Sequence, residues 1–176
     1  MKAADTIFTS IPALTLRMAT EADVETIHGF ICQLAEYEKL SHEVVATPDD
    51  LRRHLFGPRP VAEVVLARWQ GEAVGFALFF HNYSTFLGKP GIYLEDLFVN
   101  PERRGLGIGK TLLTWLAALA VERGCGRLEW SVLDWNTPAI DFYRALGSRA
   151  MDEWTVERLT GDRLLALAAR FTSEPA

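Results

Sequence analysis

The chain has 176 residues, 49% of them apolar, which is enough to fill one sizeable core in a single domain. Eighteen basic residues against 23 acidic ones give a net charge of -5, and this excludes a basic nucleic-acid footprint. Two cysteines, Cys32 and Cys125, are too few for a disulfide framework and stand in no metal-ligand spacing. The N-terminal stretch carries Lys2 and Asp5 among scattered apolar residues, with no signal-peptide run. No segment approaches transmembrane length, so no membrane partner and a cytoplasmic location are expected. His28, His42, His54 and His81 are scattered, and no metal is expected.

In chain order, residues 1–12 read as an arm ahead of one domain spanning 13–171. Residues 13–18 alternate as a strand. Thr20 with Asp23 makes a capping-box pattern that opens a helix to about residue 40. After a loop at 42–46, Thr47-Pro48-Asp49-Asp50 starts a short helix that ends near Gly57-Pro58. Residues 62–69 and 73–83 predict a hairpin across Gln70-Gly71-Glu72. A strand at 91–99 follows, then a helix over 107–123, a strand over 128–133 and a helix over 137–146. The last helix has Pro138 in its first turn and Gly147 as its stop. Residues 149–159 and 163–170 predict a final strand pair turning at Thr160-Gly161-Asp162. Such a series is α+β or mixed α/β.

The stretch from Tyr93 to Lys110 is the most informative. An apolar strand carries Glu95 and Asp96, breaks at Asn100-Pro101 and enters a basic glycine-rich turn that feeds a helix. Backbone N–H groups of such a turn, together with the positive end of the helix dipole, suit a pyrophosphate. A P-loop would need glycine where Arg104 stands, and a dinucleotide fingerprint would need it where Lys110 stands. The pattern [QR]-x-x-G-x-[GA] is met by Arg104, Gly107 and Gly109. An ordinary βα turn with glycines for tight packing is the alternative.

That pattern resembles the acetyl-CoA pyrophosphate loop of the GNAT acyltransferases. About thirty residues on, Trp135-Asn136-x-Pro138-Ala139-Ile140-x-Phe142-Tyr143-x-x-Leu146-Gly147 is similar to the second half of the GNAT signature. Tyr-Leu-Glu-Asp-Leu-Phe-Val at 93–99, Leu-Asp-Trp-Asn at 133–136 and Leu-Ala-Glu-Tyr-Glu-Lys at 34–39 resemble the spermidine/spermine (diamine) and thialysine N-acetyltransferases. The similarity runs from about residue 14 to 167. One departure stands out. The loop Asn82-Tyr83-Ser84-Thr85-Phe86-Leu87-Gly88-Lys89 lacks the acid and Pro-Trp of the polyamine enzymes and looks like the thialysine branch. The resemblance implies a GNAT-like mixed central sheet flanked by helices, splayed between the strands at 91–99 and 128–133 where pantetheine lies. It also implies acetyl-CoA as co-substrate and a homodimer.

The chemistry required is specific. A lysine-type ammonium titrates near ~10.4 and cannot attack a thioester until it loses a proton. A site must bind the cation, take the proton, hold an oxyanion and protonate the departing thiolate. Glu95 and Asp96 are strand neighbours and face opposite sides of the sheet unless a bulge intervenes. A carboxylate facing a core is costly unless paired or functional, and the alternative for Asp96 is a local hydrogen bond. By resemblance Glu95 is the proton acceptor, through water, and Asp96 a substrate contact. Asn136 contacts CoA, and Tyr143 near the sulfur is the general acid. A phenol is protonated at neutral pH and able to donate, while the plain alternative is an aromatic packing residue. Backbone N–H groups of Leu97, Phe98 and Val99 can hold the thioester oxygen. Those of Gly105, Leu106, Gly107, Ile108, Gly109 and Lys110 can hold the pyrophosphate, with Arg104 adding charge. Ser84, Phe86 and Trp154 join Glu95 and Asp96 as substrate contacts by the same resemblance. The reading is an acetyl-CoA-dependent N-acetyltransferase acting directly on a small primary amine, a thialysine-like amino acid first and a diamine or polyamine second. The alternatives are a peptide or protein N-acetyltransferase and a non-catalytic acyl-CoA-binding regulator, against which Glu95 and Tyr143 together argue.

Overall fold

Helices cover both faces of an apolar sheet in this chain. The computed structural model describes residues 5–171. The first four residues of the expected N-terminal arm lie outside them. The described residues divide into two compact units, the first ending at Ser131 and the second starting at Val132.

In the first unit the elements are β1 (Ile7–Phe8), β2 (Leu14–Met18), α1 (Val24–Tyr37), α2 (Pro48–Phe56), β3 (Glu63–Trp69), β4 (Glu72–Ser84), β5 (Lys89–Val99), α3 (Ile108–Glu122) and β6 (Leu128–Trp130). The six strands lie in sequence order. Neighbours from β1 to β5 are antiparallel, and β5 and β6 are parallel. β1 is a strand that the sequence pattern did not announce. Its two residues pair with Leu16 and Thr15 across a tight link.

β3 is buried over four consecutive residues, Val64 to Ala67, and this is the signature of a strand covered on both faces. Val64 and Leu66 join Phe76 and Phe98 against Ile27 and Phe30 of α1 and Leu55 of α2. Phe30 stacks on Phe76 with centroids 5.6 Å apart. The other face takes α3, whose Trp115 meets Phe79 edge-on at 6.1 Å. The predicted caps hold. Thr20 N donates to Asp23 Oδ2 at 2.7 Å, and Thr47 N to Asp50 Oδ2 at 3.0 Å. The β3–β4 hairpin closes Trp69 on Glu72, with Gln70 (φ 52°) and Gly71 (φ 92°) both left-handed in its two-residue turn.

The second unit carries α4 (Thr137–Ala145) and α5 (Gly161–Ala168). Here the expectation fails. Residues 149–160 form neither strand nor helix, and the segment predicted as the last strand is the helix α5. The sequence Arg-Leu-Leu-Ala-Leu-Ala is made of strong helix formers, Thr160 takes an extended N-cap conformation, and Asp162 sits at the positive end of the helix dipole. A ladder partner would have been needed to overrule that propensity, and residues 149–159 supply none.

Candidate active site

The site is built on the edge of β5. β6 pairs with β5 at Ile92↔Leu128, Tyr93↔Glu129 and Leu94↔Trp130, and the ladder then stops. β5 continues to Val99 against β4 alone. Alternate backbone N–H and C=O groups between Glu95 and Val99 therefore face an open edge. Asn100 N donates to Val74 O on the β4 side, so the alternation puts the N–H groups of Leu97 and Val99 on the open edge and turns that of Phe98 toward β4, a correction to the expected set of three.

The chain then turns through Asn100 and the short 3-10 segment Pro101–Arg103 into the glycines. Gly105 (φ 77°) and Gly107 (φ 82°) are both left-handed, which only glycine adopts without strain. Gly107 is the N-cap of α3, and no side chain caps the helix. Thr111 N donates to Gly107 O at 2.9 Å, so the first intrahelical bond is in place. The N–H groups of Ile108, Gly109 and Lys110 precede it and lack intrahelical acceptors. Leu106, Gly107 and Lys110 are exposed, and Ile108 anchors the turn in the core. Arg104 donates from Nε to Val99 O at 3.3 Å, and its guanidinium lies 4.5 Å from the ring centroid of Tyr37. An uncapped helix end, two left-handed glycines and an oriented guanidinium fit a pyrophosphate.

The carboxylates sit on the same strand. Leu78 pairs with Asp96 and Phe79 with Leu94, so Glu95 is the extra residue of a β-bulge. The bulge reverses the alternation. Leu94 sits opposite Phe79, which meets α3, while Asp96 sits opposite Leu78, which packs on the α1–α2 side. Glu95 is exposed and Asp96 partly buried. The core-facing position considered for Glu95 is thus not observed, because the bulge leaves that residue unopposed at the surface. Burial, with the charges of Glu95 and then Glu38 adding to it, pushes the Asp96 carboxyl up to about 6. Burial also raises Glu38, the C-cap residue that follows α1. Glu38 is the site residue that sequence reasoning missed. It lies within a stretch already noted for its likeness to the thialysine enzymes, but only packing of α1 on the sheet brings it to Asp96.

Two predicted substrate contacts lie elsewhere in this unit. Ser84 pairs with Lys89 at the hairpin tip, six residues along β4 from the partner of Asp96, or roughly 20 Å at strand rise. Its Oγ accepts from Leu87 N at 3.2 Å. Phe86, at the same tip, is 92% exposed. The structure does not bring Ser84 and Phe86 to the carboxylates, because an extended hairpin separates them. In the second unit, Asn136 is buried and caps α4, accepting from Ala139 N at 3.3 Å. Tyr143 lies on α4 with its ring 5.2 Å from that of Phe142. Trp154 is 69% exposed, in a stretch without helix or strand.

Residues 29–147 match the model of the acetyltransferase (GNAT) family. The chain belongs to the GNAT acetyltransferase family. This acetyltransferase is 40% identical over 166 residues to thialysine N-epsilon-acetyltransferase of Bos taurus, covering 88% of this chain and 97% of that protein. It is 36% identical over 197 residues to an L-ornithine N5-acetyltransferase of Arabidopsis thaliana, covering 86% of each. Among solved structures, an integron cassette protein from the mobile metagenome of V. cholerae superposes with a TM-score of 0.75 at 26% identity, over 89% of this chain and 98% of that one. The GNAT fold and N-acetyltransferase activity expected from the two sequence motifs are thereby established.

Proposed function

We propose that this GNAT enzyme transfers the acetyl group of acetyl-CoA directly to the side-chain amine of a small amino acid of the thialysine or ornithine type, with a diamine as second choice. The observation that carries the reading is the acid cluster. Glu95 and Glu38 both lie within electrostatic reach of Asp96, on and beside the strand whose open edge runs into the glycine turn. Burial first, and then the like charges of Glu95 and Glu38, lift Asp96 to about 6, and the like-charge part is relieved when an ammonium enters. The relatives named for thialysine and ornithine support the same class of acceptor.

In this mechanism Asp96 and Glu38 hold the substrate ammonium. Glu95, exposed on its bulge, takes the proton through water and leaves a neutral amine. The open-edge N–H groups of Leu97 and Val99 hold the thioester oxygen as charge develops on it. The N–H groups of Gly105 to Lys110, with Arg104, hold the pyrophosphate, and Asn136 contacts the same co-substrate. Acetyl-CoA supplies an activated acyl group with a good leaving thiolate, and Tyr143 donates the proton that thiolate takes up.

The test is release of free CoA from acetyl-CoA with thialysine, lysine, ornithine, putrescine, spermidine, spermine and a short peptide. Strong turnover of one amino-acid amine, reduced about 10²-fold or more in Glu95→Gln and in Tyr143→Phe, is expected. Unchanged rates in both variants would remove the assigned acid and base. Turnover of the peptide alone would favour an N-terminal acetyltransferase. CoA binding without turnover of any amine would favour a regulator. We also propose a homodimer, supported by the family resemblance and by the exposed apolar residues of α5.

A further inference from the structure

Arg104 opens the glycine turn, and two contacts fix its guanidinium. Nε donates to the Val99 carbonyl at 3.3 Å, and the group lies over the ring of Tyr37 with Cζ 4.5 Å from the centroid. A free arginine side chain samples many rotamers and loses that freedom on binding an anion. Here one edge and one face are already committed. The Nη1 and Nη2 groups form no hydrogen bond with the described residues, and they remain as a planar fork on the residue that opens the turn into the uncapped N-terminus of α3. The neighbouring Arg103 is held more loosely, 6.0 Å from the Trp69 ring. Tyr37 is the last residue of α1, far from Arg104 in sequence, and no motif joins the two.

We infer that Tyr37 is a positioning residue for the co-substrate. Its ring holds Arg104 flat so that the Nη pair meets a pyrophosphate oxygen already cradled by Gly105 to Lys110. The inference rests on the acetyl-CoA reading of that turn. It gives the C-terminal end of α1 two tasks on consecutive residues, since the charge of Glu38 acts on Asp96 while the ring of Tyr37 lies against Arg104.

The experiment measures binding of CoA and of pantetheine, which lacks the pyrophosphate, by calorimetry on the full chain without any amine. Tyr37→Leu should weaken CoA about 3- to 10-fold and leave pantetheine unchanged, the range expected when a cation–π contact is removed. Tyr37→Phe and Tyr37→Trp keep a ring and should stay within about twofold of the parent. In an Arg104→Ala background Tyr37→Leu should have no further effect on CoA. A loss shared equally by CoA and pantetheine, or one additive with Arg104→Ala, would show a merely structural role and overturn the inference. Tyr37→Gln gives the same test should the leucine variant fold poorly. A parent protein that binds CoA no better than pantetheine would sink the pyrophosphate reading itself. A parent that prefers CoA, with Tyr37→Leu unchanged, would sink only the role of Tyr37.

Discussion

At Asp96, burial and like charge act in the same direction. The carboxyl is lifted from its ordinary 3.8 to about 6 by desolvation first, then by Glu95 and Glu38. Between those two values the unfolded chain is ionised while the native protein keeps its proton, so stability falls as pH rises through that window. Above about 6 the native carboxylate bears the whole penalty, at most about 3 kcal/mol at 1.36 kcal/mol per pKa unit. Asp96→Asn removes the penalty. Its melting temperature should exceed the parent's by several degrees at pH 8, and the gain should vanish near pH 4. Thermal melts across pH 4–8 check this, and a difference constant across that range would show that the carboxylate is not under strain. The proposed role of Asp96 in holding the substrate ammonium adds that this stability gain should be coupled to a loss of kcat/KM. In the parent enzyme the same proposed role predicts that kcat/KM falls as pH drops below about 6, where Asp96 takes up its proton.

At the scale of elements, the bulge and the glycine turn decide the geometry. Gly105 and Gly107 are both left-handed, but an added Cβ has open space at Gly105 and meets Ile11 Cδ1 at 3.2 Å at Gly107. Each alanine substitution costs about 1–2 kcal/mol of backbone strain. Gly107→Ala should be the more destabilising, and it should also weaken CoA binding because it displaces the N-cap of α3. Chemical denaturation and CoA titration of the two variants check the order, and equal losses would show that Ile11 gives way freely. The turn was legible because each glycine in it answers a local requirement, and the caps at Thr20 and Thr47 were legible for the same reason. The bulge at Glu95 was not legible, since an unopposed residue is defined by register against β4 and not by its own sequence. Glu38 was hidden likewise, because its neighbour Asp96 is distant along the chain. The final strand pair was misread because exposed Leu-rich residues fit either period, and α5 follows intrinsic propensity where no ladder competes.

At the scale of the whole molecule, α5 needs cover. An eight-residue helix is marginal alone, and most helical stability comes from burying an apolar face. Yet Leu164, Leu165 and Leu167 are about half exposed or more, with Leu165 at 67%, and nearby Val156 and Phe171 are more exposed still. Exposed apolar residues in this number are what the proposed homodimer would bury. A second copy of the chain is the occupant the homodimer proposal names. Sedimentation equilibrium should find a dimer, and Leu165→Glu should shift it toward monomer, because a carboxylate buried without a partner in an apolar interface costs several kcal/mol. Circular dichroism should show most of the helix content retained after that change, since α1 to α3 belong to the other unit. A parent protein that sediments only as monomer would refute the dimer and leave the exposed face of α5 without an explanation in self-association. A dimer insensitive to Leu165→Glu would move the interface elsewhere on the molecule.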